Sequence, residues 1–266
     1  MRLSLAQLDS GTDKALNLAT IERLARRAAD DGAELAAFPE YSMYEKKVVD
    51  ASFGPAAEPL DGPFVTALAA LAASLGIAIV AGVVEVNKGG PRPFNTLVAL
   101  SASGSLVARY RKIHLFDSYG FRESESIAPS PSLEPVVFDV GGTTVGLMTC
   151  YDLRFPELGR ELADAGAELV LACSSWVPGE GKAEHWRVLA QARAIENAYY
   201  LAGVCQLPPV SIGRSILVAP SGGIIGELGL EAAVATFDLD PAEVRAARDR
   251  DPALQNRRYS IRRGRA

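Results

Sequence analysis

A chain of 266 residues, 48% hydrophobic and 22% charged, can bury a substantial core and has the composition of an ordinary folded protein, which excludes disorder as its default state. The formal charge of -5 excludes nucleic acid as the expected partner, because phosphate binding calls for Lys and Arg grouped on one face. Cys150, Cys173 and Cys205 lie far apart in apolar surroundings, which excludes a disulfide framework and the short spacing of a metal site, and no run approaches the roughly 20 apolar residues of a membrane helix. Met1 to Asp9 alternates apolar and polar residues and lacks the unbroken apolar core of a signal peptide, so the expectation is a cytoplasmic protein with no membrane partner.

Taken in order, residues 3–8 alternate as a strand, and Thr12-Asp13 opens a helix with its apolar face at Leu18, Ile21, Leu24 or Ala25, and Ala28. Asp30-Asp31-Gly32 ends it. A short apolar strand, residues 35–38, runs into Pro39-Glu40-Tyr41-Ser42, and residues 48–63 read as a loop rich in Pro, Gly and Ala. Phe64, Leu68, Leu71 and Leu75 recur at helical spacing up to Gly76, and residues 77–86 and 94–100 form a hairpin across Asn87-Lys-Gly-Gly-Pro91. After the Ser103-Gly104 turn come strand residues 106–110 and then Arg111-Lys112-Ile113-His114-Leu115-Phe116. A loop with three prolines leads to strand residues 136–140, followed by the apolar run that ends at Cys150. The rest reads as a helix over 156–165, a strand over 168–172 that closes on Ser174-Ser175-Trp176, and a long helix over 182–197. Strands over 199–205, 215–219 and 234–239 follow, and Pro241 starts a last helix. Strands and helices alternate with no linker, which predicts one layered α/β domain over residues 1–266.

Three strand ends each present a different reactive group: Glu40, Lys112 and Cys150. Strand ends are where sites gather in layered α/β folds, and these three groups have complementary chemistry. A carboxylate takes a thiol proton, the thiolate attacks a carbonyl, and an ammonium stabilises the oxyanion. Taken singly each has a plainer reading: Glu40 as a helix cap, Lys112 as a solvated charge, Cys150 as a core thiol. For Cys173 and Cys205 the plain reading stands, and His114 and His185 are too few for a metal cluster.

Phe38-Pro-Glu-Tyr41, Tyr110-Arg-Lys-Ile-His-Leu-Phe-Asp117 and Thr149-Cys-Tyr-Asp-Leu-Arg-Phe-Pro-Glu157 occur in the order and spacing of the nitrilase superfamily of carbon–nitrogen hydrolases, which the chain resembles over nearly its whole length, including residues 184–197. The resemblance implies a four-layer α-β-β-α sandwich that dimerises through its helical faces. It implies Glu40 as general base, Lys112 as oxyanion stabiliser, Cys150 as nucleophile and the Tyr151 N–H as second oxyanion donor, with neither metal nor organic cofactor. A further acid supports the lysine; the Phe121-Arg-Glu-Ser124 pattern selects Glu123, with Glu125 as the other possibility.

The Cys150 segment looks most like the Nit branch of ω-amidases and deaminated-glutathione amidases, whose small-molecule substrates carry a carboxylate beside a primary amide. Arg154 offers bidentate donors for that carboxylate, or else pairs locally with Asp152 or Glu157. His114, Ser175 and Trp176 are further candidates for substrate contact, while His185 with Trp186 packs a helix start. Two features depart from the branch: Asp117–Glu123 is a shorter loop than usual, and Gly213-Arg214-Ser215 has Arg where many relatives have His. Alternatives are an N-carbamoyl amino acid amidohydrolase and a catalytically silent scaffold; all three reactive residues being present speaks against the second. The arginine-rich residues 250–266 resemble a C-terminal segment used in homodimer contacts.

Overall fold

A computed structural model of the chain, describing residues 1–264, begins with β1 (Arg2–Gln7) and α1 (Lys14–Asp30). The Asp13 side chain caps α1, accepting from the N–H groups of Ala15 and Leu16 at 2.9 and 3.1 Å. Then follow β2 (Leu35–Ala37), the single turn α2 (Phe53–Ala56) and α3 (Pro63–Leu75), which starts on proline and stops at Gly76 in the left-handed conformation. The hairpins β3 (Ala78–Glu85), β4 (Phe94–Leu100) and β5 (Leu106–Arg111) complete the first half. The second half runs β6 (Val137–Val140), β7 (Thr143–Thr149), α4 (Pro156–Asp164), β8 (Leu169–Ser174), α5 (Lys182–Asn197) and β9 (Tyr200–Cys205). It closes with β10 (Ile216–Val218), β11 (Ile224–Glu227), β12 (Ala233–Asp238) and α6 (Pro241–Arg250).

The strands form two six-stranded sheets, ordered β12-β1-β2-β3-β4-β5 and β11-β10-β9-β8-β7-β6. Side-chain alternation along the first sheet explains the layering. Leu3, Leu5, Leu35, Ala37, Val80, Leu97 and Ala99 join Val145, Leu147, Leu169 and Leu171 of the second sheet in one apolar cluster. The intervening Ala36, Ile79, Ala81, Val98 and Leu100 pack instead with Ile21 and Leu24 of α1 and Phe64 and Leu68 of α3. On the other side Leu158 and Leu162 of α4 and Trp186, Ala190 and Ala194 of α5 cover the second sheet. The result is the expected α-β-β-α sandwich.

Two expected boundaries differ. The loop over 48–63 contains α2, where Phe53 is fully buried and meets the rings of Tyr41 and Tyr44 edge-on at 5.1 Å each. Strand β11 is absent from the sequence reading because Ser221-Gly-Gly-Ile-Ile-Gly is dominated by its turn residues; the strand forms by antiparallel pairing to β10.

Topology places the site. β1, β2 and β3 run parallel, and two antiparallel steps through β4 return β5 to the direction of β3, so Glu40 and Lys112 leave the same edge. In the second sheet β7 and β8 are parallel and deliver Cys150 and Ser175. The two edges are joined by Gln206, whose side-chain N–H groups donate to the Glu40 carbonyl and to Ser10 Oγ, both at 3.0 Å.

Gly82 of β3 is required by the turn that carries Glu40. A Cβ there would lie 2.4 Å from the Tyr41 nitrogen and 2.7 Å from Glu40 backbone carbon, while Gly82 N–H and C=O already bond the Pro39 carbonyl and the Met43 N–H. Gly82→Ala therefore forces this backbone to move, at a cost of about 1–3 kcal/mol of stability. A lower melting temperature together with a lower kcat is expected; a variant matching the parent in both would show that the turn gives way freely.

Candidate active site

Glu40, Lys112, Glu123 and Cys150 are 1%, 2%, 4% and 6% exposed, so water cannot solvate their charges and each must find a partner in the protein. The Lys112 ammonium donates to Glu40 Oε1 at 2.8 Å and to Glu123 Oε2 at 2.9 Å. Asn95 Nδ2 donates to Glu40 Oε1 at 2.6 Å and to Glu123 Oε1 at 3.2 Å, and the Tyr41 hydroxyl donates to Glu123 Oε1 at 2.7 Å. The Phe116 N–H closes the fourth side of Glu123 at 2.6 Å, and the Ser175 N–H holds Glu40 Oε2 at 2.6 Å.

Burial acts against the Lys112 charge, but the Glu123 and Glu40 carboxylates outweigh it and hold the ammonium well above its ordinary range. Burial likewise opposes ionisation of Glu123, and Lys112 overcomes it, keeping this carboxyl below its usual value. The Cys150 thiol goes the other way: burial first, then the Glu40 charge, push it well above the usual thiol range, with Lys112 opposing. The resting sulfur is a thiol, and its activation needs a base.

Cys150 sits between β7 and a tight helical turn, Cys150–Arg154, with φ +49°. A non-glycine residue in this region costs about 1–3 kcal/mol and marks a position its surroundings enforce. Asp152 supplies much of that enforcement, accepting from the Thr149 N–H at 2.9 Å, the Tyr110 hydroxyl at 2.6 Å and the His114 ring Nδ1 at 2.7 Å. Tyr151 is second in the turn, where helix geometry leaves N–H groups without an intrahelical partner. The Cys150 sulfur lies 3.6 Å from the Ser175 carbonyl, so the Ser175 backbone touches both the thiol and Glu40.

These groups line a cleft of about 520 Å³, walled also by Phe116, Tyr119, Phe121, Val177 and Val210. The short Asp117–Glu123 loop forms one wall and Lys46–Val49 another. A smaller recess shares Phe116, Cys150 and Val177 with the cleft and adds Tyr151, Arg154, Trp176 and Lys182.

Glu40, Lys112, Cys150, Glu123 and Ser175 therefore converge as the sequence predicts. Glu123, not Glu125, holds the lysine; Glu125 is exposed at the cleft. Arg154 lines the recess and forms no ion pair with Asp152 or Glu157. Its guanidinium lies 5.0 Å over Trp176 and donates to His185 Nδ1 at 3.3 Å. Trp176 contributes a wall, its indole N–H donating to the Lys182 carbonyl at 2.9 Å. His114 is a correction: it is not among the residues lining the cleft, because its ring stacks on Phe155 at 3.6 Å and bonds Asp152, which makes it a brace of the cysteine turn. Arg214 is likewise outside the cleft, beside Glu227. Among the described residues no group of three metal-ligating side chains occurs.

Three residues in or beside the site escaped the sequence reading: Asn95 behind the carboxylates, Glu45 in the cleft and Lys182 in the recess. Asn95 had a signal, a polar residue in the otherwise apolar start of a fully buried strand. Glu45, in Tyr44-Glu-Lys-Lys47, reads as surface yet is 4% exposed, lines the cleft and leaves Oε2 without a partner. Burial, then the Glu40 charge, push its carboxyl well above the usual range. Lys182, in Gly-Glu-Gly-Lys182, also reads as solvated and is 5% exposed. Its ammonium faces the rings of Tyr119, Phe116 and Trp176 at 4.4, 4.8 and 5.1 Å. Such contacts contribute about 0.5–2 kcal/mol, less than the several kcal/mol lost on desolvating an ion, so the cage holds this charge without neutralising it.

The carbon–nitrogen hydrolase family model matches residues 2–249. The chain is 39% identical to Hydrolase Rv0480c of Mycobacterium tuberculosis over 96% of its length and 95% of that protein. It is 33% identical to Omega-amidase NIT2-B of Xenopus laevis, covering 98% of this chain and 96% of the relative. It also superposes on an amidase from Nesterenkonia sp. AN1, of the nitrilase superfamily, with a TM-score of 0.82, 30% identity and coverage of 97% and 94%. A further structure of that amidase shows acrylamide added to its active-site cysteine. Cys150, Lys112 and Glu40 thus lie in a fold shared with cysteine amidases, and the chain belongs to the carbon–nitrogen hydrolase family, an amidase in the Nit branch of the nitrilase superfamily.

Proposed function

We propose that the enzyme hydrolyses the terminal amide of a short carboxylic acid, an ω-amide of a dicarboxylic or 2-oxo acid, releasing ammonia. The observation that carries this reading is Arg154: it lines a recess that also contains Cys150 and is free of any carboxylate partner among the described residues. A guanidinium so placed can donate two parallel hydrogen bonds to a substrate carboxylate.

In the proposed reaction Glu40 removes the Cys150 proton as the sulfur attacks the amide carbon. Lys112 and the Tyr151 N–H stabilise the oxyanion, preorganised donors being the largest single contribution in such sites. Protonated Glu40 passes its proton to the departing nitrogen, the C–N bond breaks, and a thioester remains. Water, deprotonated by Glu40, attacks the thioester, and the C–S bond breaks to give the acid and the thiol. Glu123 keeps Lys112 charged throughout, and Asn95 and the Ser175 N–H fix the Glu40 carboxyl against it.

We also propose that the chain forms a homodimer. Val188 and Ile195 are exposed on α5 at 51% and 55%, and Tyr259 is 93% exposed in the basic tail. Within the described residues this tail lies on its own subunit, Arg257 pairing with Asp164 and Arg263 with Glu161; residues 265–266 fall outside them. Truncation after Pro252 is expected to weaken the dimer in sedimentation; an unchanged dimer would remove the tail from assembly.

Ammonia release is the test of activity. Cys150→Ala is expected to abolish it, and Lys112→Met to lower kcat about 10²–10³-fold; equal release by parent and Cys150→Ala would end the mechanism. Assayed side by side, α-ketoglutaramate or deaminated glutathione should exceed an N-carbamoyl amino acid in kcat/KM, and the reverse order would favour a carbamoyl substrate. Arg154→Met should reduce the preference for succinamate over neutral butyramide by about 10- to 100-fold. An unaltered preference would show that the carboxylate binds elsewhere.

A further inference from the structure

Lys182 lies outside the mechanism, yet it is a buried cation in the same recess as the nucleophile. Its ammonium makes no ion pair or hydrogen bond among the described residues; the groups around it are three aromatic rings, Arg154 and Cys150. Burial most of all, and then the nearby Arg154 charge, disfavour its charge and hold its pKa below the ordinary value, with Cys150 opposing them. A structural lysine would be expected to pair with a carboxylate, and acidic partners are available elsewhere on the chain: Lys14 reaches Glu58 at 2.7 Å, and Lys112 reaches two acids. The recess lining, by contrast, contains Arg154 and Lys182 and no acid.

We propose that Lys182 is a specificity-determining residue, the second cation of an anion subsite that receives the substrate carboxylate beside Cys150. The inference rests on the carboxylate reading of the substrate and extends it from Arg154 to a paired site. Free space in the recess is about 10 Å³, close to that of one water, so it takes one oxygen of a carboxylate while the remaining atoms stay in the adjoining cleft. A carboxylate there lies between a planar guanidinium, which fixes its orientation, and an ammonium held by rings, which offers charge with little directional demand. The rings matter in a second way. They exclude water from one side of Lys182 while offering no competing acceptor, so the ammonium stays available to an incoming anion.

Alkylation of Cys150 reads this subsite without relying on amide hydrolysis. With both iodoacetate and iodoacetamide the thiolate attacks the methylene carbon, an S–C bond forms as the C–I bond breaks, and iodide leaves to solvent; the two reagents differ at the far end by a carboxylate in place of a neutral amide. A change in thiolate fraction alters both rates alike, so their ratio reports the attraction for the carboxylate. In the parent enzyme, alkylation followed by mass spectrometry at Cys150 should give an iodoacetate-to-iodoacetamide ratio above that of free cysteine under the same conditions. Lys182→Met should lower the ratio about five- to tenfold, and Lys182→Arg should keep it near the parent value. A parent ratio equal to that of free cysteine overturns the subsite without need of any variant. A Lys182→Met protein whose two rates fall together, leaving the ratio unchanged, assigns Lys182 to the thiolate alone and overturns the proposal as well. If succinamate hydrolysis persists while the ratio shows no anion preference, the subsite fails and the amidase reading survives; loss of hydrolysis with the ratio intact separates the two in the other direction.

Discussion

A single buried ammonium between two carboxylates sets the terms for everything around it. Lys112 reaches Glu40 and Glu123 at 2.8 and 2.9 Å, with all three groups almost wholly removed from water. Desolvating such ions is expensive, and removing one member of a buried pair typically costs about 3–5 kcal/mol because the other is stranded. The protein meets that cost with neutral donors: Asn95 spans both acids, Tyr41 and the Phe116 N–H complete Glu123, and the Ser175 N–H completes Glu40. These donors come from four separate stretches of the chain, so the network exists only when both sheets are in register. Stability and the reactive arrangement are thus the same set of contacts.

The net charge of that network explains the state of the sulfur. Two carboxylates and one ammonium leave an uncompensated negative charge beside Cys150, and a thiolate would add another in a medium that screens little. The thiol is therefore held protonated until a substrate arrives, and Glu40, the anion that acts on it most strongly, is also the base proposed to take its proton. Asp152 contributes mechanically: by holding Tyr110 from β5 and the backbone of Thr149 before Cys150, it locks the strand end that carries Lys112 to the turn that carries the nucleophile.

Much of this was legible in the sequence where the chemistry is local. Glu40, Lys112 and Cys150 each end a strand, and strand ends follow from apolar runs stopped by Pro, Arg-Lys or a charged turn. The helix over 182–197 has the bounds expected for it from the sequence. What stayed hidden depends on packing between distant segments. His114, two residues from Lys112, was expected in the cleft; a strand-end residue's direction is set by what it meets, and here Phe155 and Asp152 draw it away. Glu45 and Lys182 sit in polar, glycine- or lysine-rich stretches whose composition signals solvent, and only the covering loops bury them. Asn95 was missed too, although it carried a signal: a side chain with four hydrogen-bonding capacities inside a buried, mostly apolar strand needs partners.

Charge is divided across the nucleophile. The wide cleft is lined by acids and bases alike, Glu40, Glu123 and Glu125 with Lys46, Lys47, Lys112 and Arg122, whereas the recess carries Arg154 and Lys182 with no acid, and Cys150 belongs to both walls. A neutral amide would experience little net orientation in such a field, but a molecule with an acid at one end and an amide at the other would be aligned by it, its carboxylate drawn to the cations and its amide left beside the sulfur. The field also accounts for why two cations are tolerated close together without counter-ions: rings of Phe116, Tyr119 and Trp176 hold Lys182, and Trp176 lies beneath Arg154, so each charge is anchored by a face that cannot neutralise it. On the proposed reading the substrate supplies the missing negative charge, and binding energy then comes from that incompleteness.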